Sequence, residues 1–216
     1  MEMKRIVCAS PKGGSGKTTL ARNLAASAAA MDLQVATADL DPQRTLTRWW
    51  NRRGKKERPI THYEVTYDDA EALAEDGSID PCDVAFVDTP PSIEANPGPI
   101  RRLLDVADFV IIPVRPSLDD AESAVPFMAL LRRRKHPAAF VLNAVKPRVN
   151  IIAVKSFLVK AGDLCPVEIG DRTDYMRGAE HGVGVADLGD HPGAREMAGV
   201  WSFIHGRLWG ICDVAA

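Results

Sequence analysis

The stretch Lys12-Gly13-Gly14-Ser15-Gly16-Lys17-Thr18-Thr19 holds the residue types that polyphosphate chemistry requires. Gly13, Gly14 and Gly16 let a backbone bend closely around phosphates, and the unpaired amides of a following helix point at the anion. Lys17 supplies a cation, and Ser15 and Thr19 fall within the same cradle. The Thr18 hydroxyl is placed to ligate a Mg²⁺ ion that also binds phosphate oxygens. A glycine turn capping a helix would explain the glycines but not Gly-Lys-Thr between a strand and a helix. The ordinary spacing G-x-x-x-x-G-K-[ST] demands glycine at position 11, where the chain has Pro11, and Lys12 is an additional cation inside the loop.

Acids recur where such a loop needs them. Asp39 and Asp41, in Asp39-Leu40-Asp41-Pro42-Gln43, follow a strand expected over 34–38, and Asp88 ends the apolar run Val84-Ala85-Phe86-Val87. In an open α/β sheet, ligands sit at the carboxyl ends of the strands, so these carboxylates face the same crevice as the loop. Pro42 restrains Asp41 to extended backbone and is expected to start the next helix. An unbroken apolar run with a terminal aspartate reads as a buried parallel strand. Asp88 would then contact Mg²⁺ through water, leaving Thr18 as the direct ligand.

The elements that position these groups alternate. Strands are expected from near Arg5 and over 61–65, 107–114, 138–144 and 167–169. Helices are expected over 18–31, 45–53, 68–74, from Ser117 toward Lys135, and over 194–208. Ser117 is a cap for its helix, with Asp119, Asp120 and Glu122 in the first turns. This alternation predicts an α/β fold: a single doubly wound, mostly parallel sheet flanked by helices, in one domain spanning 1–216.

The chain has 216 residues, 46% of them hydrophobic, and a formal net charge of −2, so nucleic-acid affinity must come from local basic patches. Two are visible. Arg52, Arg53, Lys55, Lys56 and Arg58 form a solvated loop or a DNA contact; Arg132, Arg133, Arg134 and Lys135 satisfy a helix C-terminus or touch DNA. Lys146, Arg148, Lys155 and Lys160 add to this candidate surface. Adjacent Trp49 and Trp50 cannot both face inward, so one is expected in the core and the other on a neighbour or partner. Cys8, Cys82, Cys165 and Cys212 lack C-x-x-C spacing, which predicts free thiols in a reducing cytoplasm. No signal peptide or transmembrane-length run is expected, and with a strand expected from near Arg5 no helix-turn-helix domain is expected before it.

The motif K-G-G-x-G-K-T resembles the deviant Walker A motif of the ParA/MinD superfamily, and D-x-D-P-Q, D-T-P-P at 88–91, I-P-V-R-P-S at 112–117 and the R…A…G…V…D stretch from Arg172 to Asp187 extend the likeness over nearly the whole chain. Ser15 departs mildly from the family's usual valine. The resemblance implies that Lys12 reaches the phosphates of a partner subunit in a nucleotide-sandwich dimer, as an arginine finger does. It also implies that Asp41 orients the attacking water, Asp39 helps hold the metal's water shell, Asn143 recognises the adenine edge, and Asp171 and Arg172 lie in the loop that closes over the base.

Catalysis would rest on Lys17, Mg²⁺ and loop amides holding ATP in line, with Lys12 offsetting charge from the other subunit. The activity implied is slow ATP hydrolysis used as a timer: ATP holds a homodimer that binds DNA nonspecifically, and a small centromere-binding or cargo adaptor protein stimulates hydrolysis. The protein would be cytoplasmic and nucleoid-associated when ATP-bound. A MinD-like membrane-cycling regulator is disfavoured because the 194–208 helix offers only Arg207 and His205 to a polar face. A metabolic enzyme or metallochaperone on the same fold is a further alternative, but a synthetase would not need Lys12.

Overall fold

Strand pairing follows from where the apolar runs lie. In a computed structural model describing residues 2–75, 77–91 and 98–210, the strands are β1 (Lys4–Cys8), β2 (Val35–Asp39), β3 (Thr61–Glu64), β4 (Val84–Asp88), β5 (Phe109–Val114) and β6 (Ala138–Leu142). They form one sheet in the order β3-β2-β4-β1-β5-β6, and every pair is parallel. β4 returns between β1 and β2 while β5 leaves on the other side of β1, so the strand order reverses at β1, where the phosphate loop begins.

The helices are α1 (Lys17–Ala30), α2 (Thr45–Arg52), α3 (Gly98–Asp105), α4 (Leu118–Arg133), α5 (Ile152–Ala161), α6 (Thr173–His181) and α7 (Pro192–Trp209), with 3₁₀ segments at Ala70–Ala74 and Val185–Leu188. They cover both faces, which is why β5 is apolar at every position and β4 is apolar from Val84 to Val87. Along β1, Val7 faces the core under α3, α4 and α5, whereas Ile6 and Cys8 face the core under α1, α2 and α7. α1 can lie close to the sheet because its inner positions are Leu20, Ala21, Leu24, Ala25 and Ala28, all fully buried. Gly184 permits a second close approach: a Cβ there would fall 2.3 Å from the Ala26 side chain.

The structure differs from the sequence expectation at three elements. Residues 167–169 are not a strand; around them the chain meets β6 through the isolated bridges Phe140 to Leu164 and Val145 to Gly170, with the Cys165 amide donating to Phe140 O at 2.8 Å and the Ile169 amide to Leu142 O at 2.9 Å. The ladder breaks because Leu142 O is met by the amide of Ile169 and not by that of Val167, which leaves the segment out of step with β6. Pro42 does not start α2: it sits in a turn in which the Arg44 amide donates to Asp41 O at 2.8 Å, and the helix opens at Thr45 after Arg44 takes a left-handed φ of 50°. The expected 68–74 helix is the shorter 3₁₀ segment. α3 and α6 lie where no helix was expected; the bounds of the other expected elements agree to within about two residues, and Ser117 caps α4 by accepting from the Asp120 amide at 3.1 Å.

Trp49 is fully buried, whereas Trp50 lies flat on His62. Cys8, Cys82 and Cys165 are free thiols, and Cys212 lies outside the described residues. Among the described residues no helix is long and apolar enough to cross a membrane.

On α7, Met197, Val200, Trp201 and Ile204 are buried, and the Trp201 ring meets Phe86 of β4 with centroids 5.8 Å apart. Trp201→Ala should therefore lower unfolding stability by about 3–5 kcal/mol. Urea denaturation checks this, and a loss below about 1 kcal/mol would contradict the packing role of α7.

Candidate nucleotide site

Parallel register decides which side chains meet. Cys8 pairs with Asp88, and Asp39 pairs with Asp88, so the ends of β1, β2 and β4 stand at one level. The loop leaves β1 at that level and turns into α1. Gly16 has φ 108°, and a Cβ on it would lie 2.0 Å from the Asn143 amide nitrogen, so no other residue fits. That nitrogen donates to Ser15 O at 2.7 Å, which ties the loop to the end of β6. Arg115, just past β5, donates to Gly14 O at 2.9 Å. Gly13 and Gly14 are exposed at the rim, the Ser15 hydroxyl is buried without a hydrogen-bond partner, and Thr19 O accepts from Asn23 at 2.7 Å.

The two lysines are disposed differently. Lys17 is buried, and its ammonium bends back to donate to Lys12 O at 3.2 Å. The Lys12 side chain points away from its own loop and pairs with Asp120 in the first turn of α4 at 3.1 Å.

Asp88 fits a metal-side acid. It is fully buried, Oδ2 accepts from the Thr18 hydroxyl at 2.6 Å, and Oδ1 has no partner. Burial pushes its pKa from 3.8 up to about 8, against the Thr18 hydrogen bond and the Lys17 charge, which pull it down. An orphaned carboxylate oxygen beside a hydroxyl is the donor set a hydrated divalent cation needs, so these residues fit Mg²⁺.

Asp39, given to the metal's water shell by the resemblance, is committed elsewhere. Oδ2 accepts from both the amide and the hydroxyl of Thr47, each at 2.9 Å, and Oδ1 accepts from the Asp41 amide at 3.0 Å. Arg44 donates to its carbonyl. Asp39 thus anchors the backbone of Asp41, whose own Oδ1 accepts from the Gln43 amide at 2.8 Å. Asp41 is half-buried and borders the crevice.

Asn143 is likewise turned under the loop by its bond to Ser15. Just past it, Asp171, Arg172, Lys146, Pro147 and Arg148 line a cavity of about 480 Å³, within the usual size of a small-molecule site. Arg172 is held there by Glu196 of α7, with Nε to Oε1 at 2.9 Å, and Glu196 also accepts from the Gly170 amide and the Tyr175 hydroxyl. Asp171 is exposed, and its amide donates to Val145 O.

Sequence reasoning missed Thr47, Arg44, Asn23 and Glu196, and gave no role to Arg115 although it named the motif around it. Each acts through a contact set by tertiary packing, so no motif marks it. Of the basic candidates, Arg53 is an internal strut, bonded to both oxygens of Asp187 at 2.8 and 3.2 Å, and Lys155 is paired with Glu168. Arg132 to Lys135, Lys146, Arg148 and Lys160 are exposed.

The family model for the CobQ/CobB/MinD/ParA nucleotide binding domain matches residues 6–185. The chain belongs to this family. Among its relatives, the maintenance of carboxysome distribution protein A of Halothiobacillus neapolitanus is 29% identical over 196 residues, covering 85% of this chain and 87% of that one. Protein ParA of Rhizobium radiobacter is 28% identical over 183 residues, covering 80% and 81%. Two solved structures share the ParA/MinD fold. MinD of Pyrococcus horikoshii with Mg-ADP has a TM-score of 0.77 at 14% identity, covering 94% of this chain and 96% of that one. An ATP complex of a Cyanothece McdA variant has a TM-score of 0.72 at 18% identity, covering 100% of each.

The raised pKa of Asp88 predicts a stability signature in metal-free, nucleotide-free protein. The unfolded carboxyl titrates near 3.8 and the folded one near 8, so the folded state binds the extra proton between those values and stability falls as pH rises through that window. The melting temperature of Asp88→Asn should gain on wild type progressively from about pH 5 to about pH 8 in EDTA. A difference that is constant with pH would contradict the assignment.

Proposed function

We propose that this protein is a Mg²⁺-dependent ATPase of the ParA type, in which ATP holds two copies together and slow hydrolysis releases them. The observation that carries the reading is the division of labour between the two loop lysines. Lys17 is folded over the loop, whereas the Lys12 side chain, 43% exposed, ends outside it on Asp120. A cation so placed can serve a neighbouring subunit's phosphates at little cost to its own loop.

ATP binding would use the amides of Gly13 to Thr19 and the α1 N-terminus for the phosphates, Lys17 as the local cation, and the 480 Å³ cavity at Asp171 and Arg172 for the base. Thr18 and Asp88 would hold Mg²⁺, which would supply charge neutralisation at the phosphates. Asp41, held by its amide on Asp39, orients water for in-line attack, and the partner's Lys12 offsets charge that develops in the transition state.

The use follows the relatives. One is named for maintaining carboxysome distribution and another is a ParA, so the work proposed is positioning or partition of a cargo by an ATP-dependent dimer on nonspecific DNA, read out by a small adaptor. The exposed cations at Arg132 to Lys135, Lys146, Arg148 and Lys160 supply the phosphate-reading surface. The protein would act in the cytoplasm as a single domain.

Lys12→Ala should bind ATP with near wild-type affinity yet lose ATP-dependent dimerisation, with hydrolysis reduced roughly 100-fold. Analytical ultracentrifugation with ATP and a phosphate-release assay read the two effects; if both survive, the trans role of Lys12 is wrong.

A further inference from the structure

Beneath the Asp39–Asp41 segment lies a chain of polar side chains that the nucleotide site does not itself use. His62 stands on β3, beside Thr37 of β2 in the parallel register. Its Nδ1 is 2.9 Å from the Thr37 hydroxyl, and its Nε2 is 2.9 Å from the Thr47 hydroxyl. The Trp50 ring covers it, with centroids 5.2 Å apart and planes inclined by 23°, and Trp50 is itself fixed by donating to Ile60 O at 2.6 Å. Thr37, Thr47 and Asp39 are all buried. The imidazole is thus gripped at both nitrogens and on one face.

The proton inventory assigns each role. The Thr47 hydroxyl has one proton, and it points at Asp39 Oδ2, which can only accept. What reaches Thr47 Oγ1 from the ring must therefore be a donor, so Nε2 carries the hydrogen. Nδ1 then keeps its lone pair and accepts the one Thr37 hydroxyl proton at 2.9 Å, a shorter contact than the 3.3 Å from that hydroxyl to Thr61 O. Burial lowers the His62 pKa below 6.5, against the charges of Asp39 on β2 and Glu64 on β3 and with that of Arg44 before α2, which favours this neutral form. The result is one directed chain: Thr37 to His62, His62 to Thr47, Thr47 to Asp39, with the Asp41 amide on the far oxygen of Asp39.

We propose that His62 is a positioning residue for ATP hydrolysis, orienting Thr47 so that Asp39 holds the Asp41 backbone where its carboxylate can order the attacking water. This inference rests on the ATPase reading. His62 touches no nucleotide-binding group and acts through Thr47 and Asp39. A strand at the sheet's edge, away from the phosphate loop, thereby sets the geometry of the water-ordering acid. Small displacements of such a group act on turnover far more than on binding.

The test is steady-state hydrolysis by the full chain at saturating Mg²⁺, with ATP affinity measured separately using a fluorescent ATP analogue. His62→Phe keeps the stack on Trp50 but removes the donor to Thr47; it should lower kcat about tenfold and leave KM and nucleotide affinity within about twofold. His62→Gln, whose amide can donate to Thr47, should restore most of the turnover. Thr47→Val cuts the chain at its next link, and the Thr47→Val, His62→Phe double variant should be no slower than the worse single variant. A His62→Phe protein with wild-type kcat would overturn the proposal, as would a His62→Gln protein as impaired as His62→Phe. If His62→Phe does not fold, Thr47→Val decides: lowered kcat at unchanged KM supports the chain, and wild-type kcat overturns it. Wild-type protein with no ATP turnover would overturn the ATPase reading itself, and this inference with it, before any variant is compared.

Discussion

Two carboxylates stand side by side at the end of a parallel sheet, and they are solvated in opposite ways. Asp39 and Asp88 are register partners and both are fully buried. Asp39 receives three hydrogen bonds from Thr47 and the Asp41 amide, whereas Asp88 receives one from Thr18 and leaves Oδ1 bare. Burying a carboxylate without partners is costly, which is why the Asp88 pKa is driven upward. The asymmetry separates their roles: one acid is part of the scaffold, and the other fits a cation. A site in which both were satisfied would have no reason to bind Mg²⁺.

The same edge of the sheet organises the loop. Gly16 must be glycine because Asn143 lies against it, and Asn143 lies there because β6 ends one residue earlier. The loop is held by Asn143 from one side and Arg115 from the other, so its amides are set before any nucleotide arrives. Preorganised donors of this kind stabilise phosphate charge without further rearrangement. Lys12 is the exception within the loop, since its side chain is paired with α4.

Much of this was legible in the sequence, for a physical reason. Phosphate loops are read from contiguous residues, and buried parallel strands appear as unbroken apolar runs, so Lys12 to Thr19 and Val84 to Asp88 declare themselves. The 167–169 segment misled because Val167-Glu168-Ile169 has strand composition, while its being out of step with β6 shows only in which amide reaches Leu142 O. Arg53 looked like part of a basic surface because its partner, Asp187, is remote in sequence and close only after folding. Asp39 and Asn143 carried roles from the resemblance that their hydrogen bonds in this chain direct toward positioning. Thr47 and His62 gave no signal at all, because a threonine on a helix and a histidine on an edge strand are ordinary until the register brings them together.

In the proposed ATPase, one site is half of an active unit and two chains must meet for hydrolysis. The dependence of specific ATPase activity on protein concentration, at saturating ATP and Mg²⁺, tests it most directly. Activity per chain should rise with concentration and then level off as the dimer fills. Activity per chain that stays constant on dilution to concentrations where only monomer is present would contradict it.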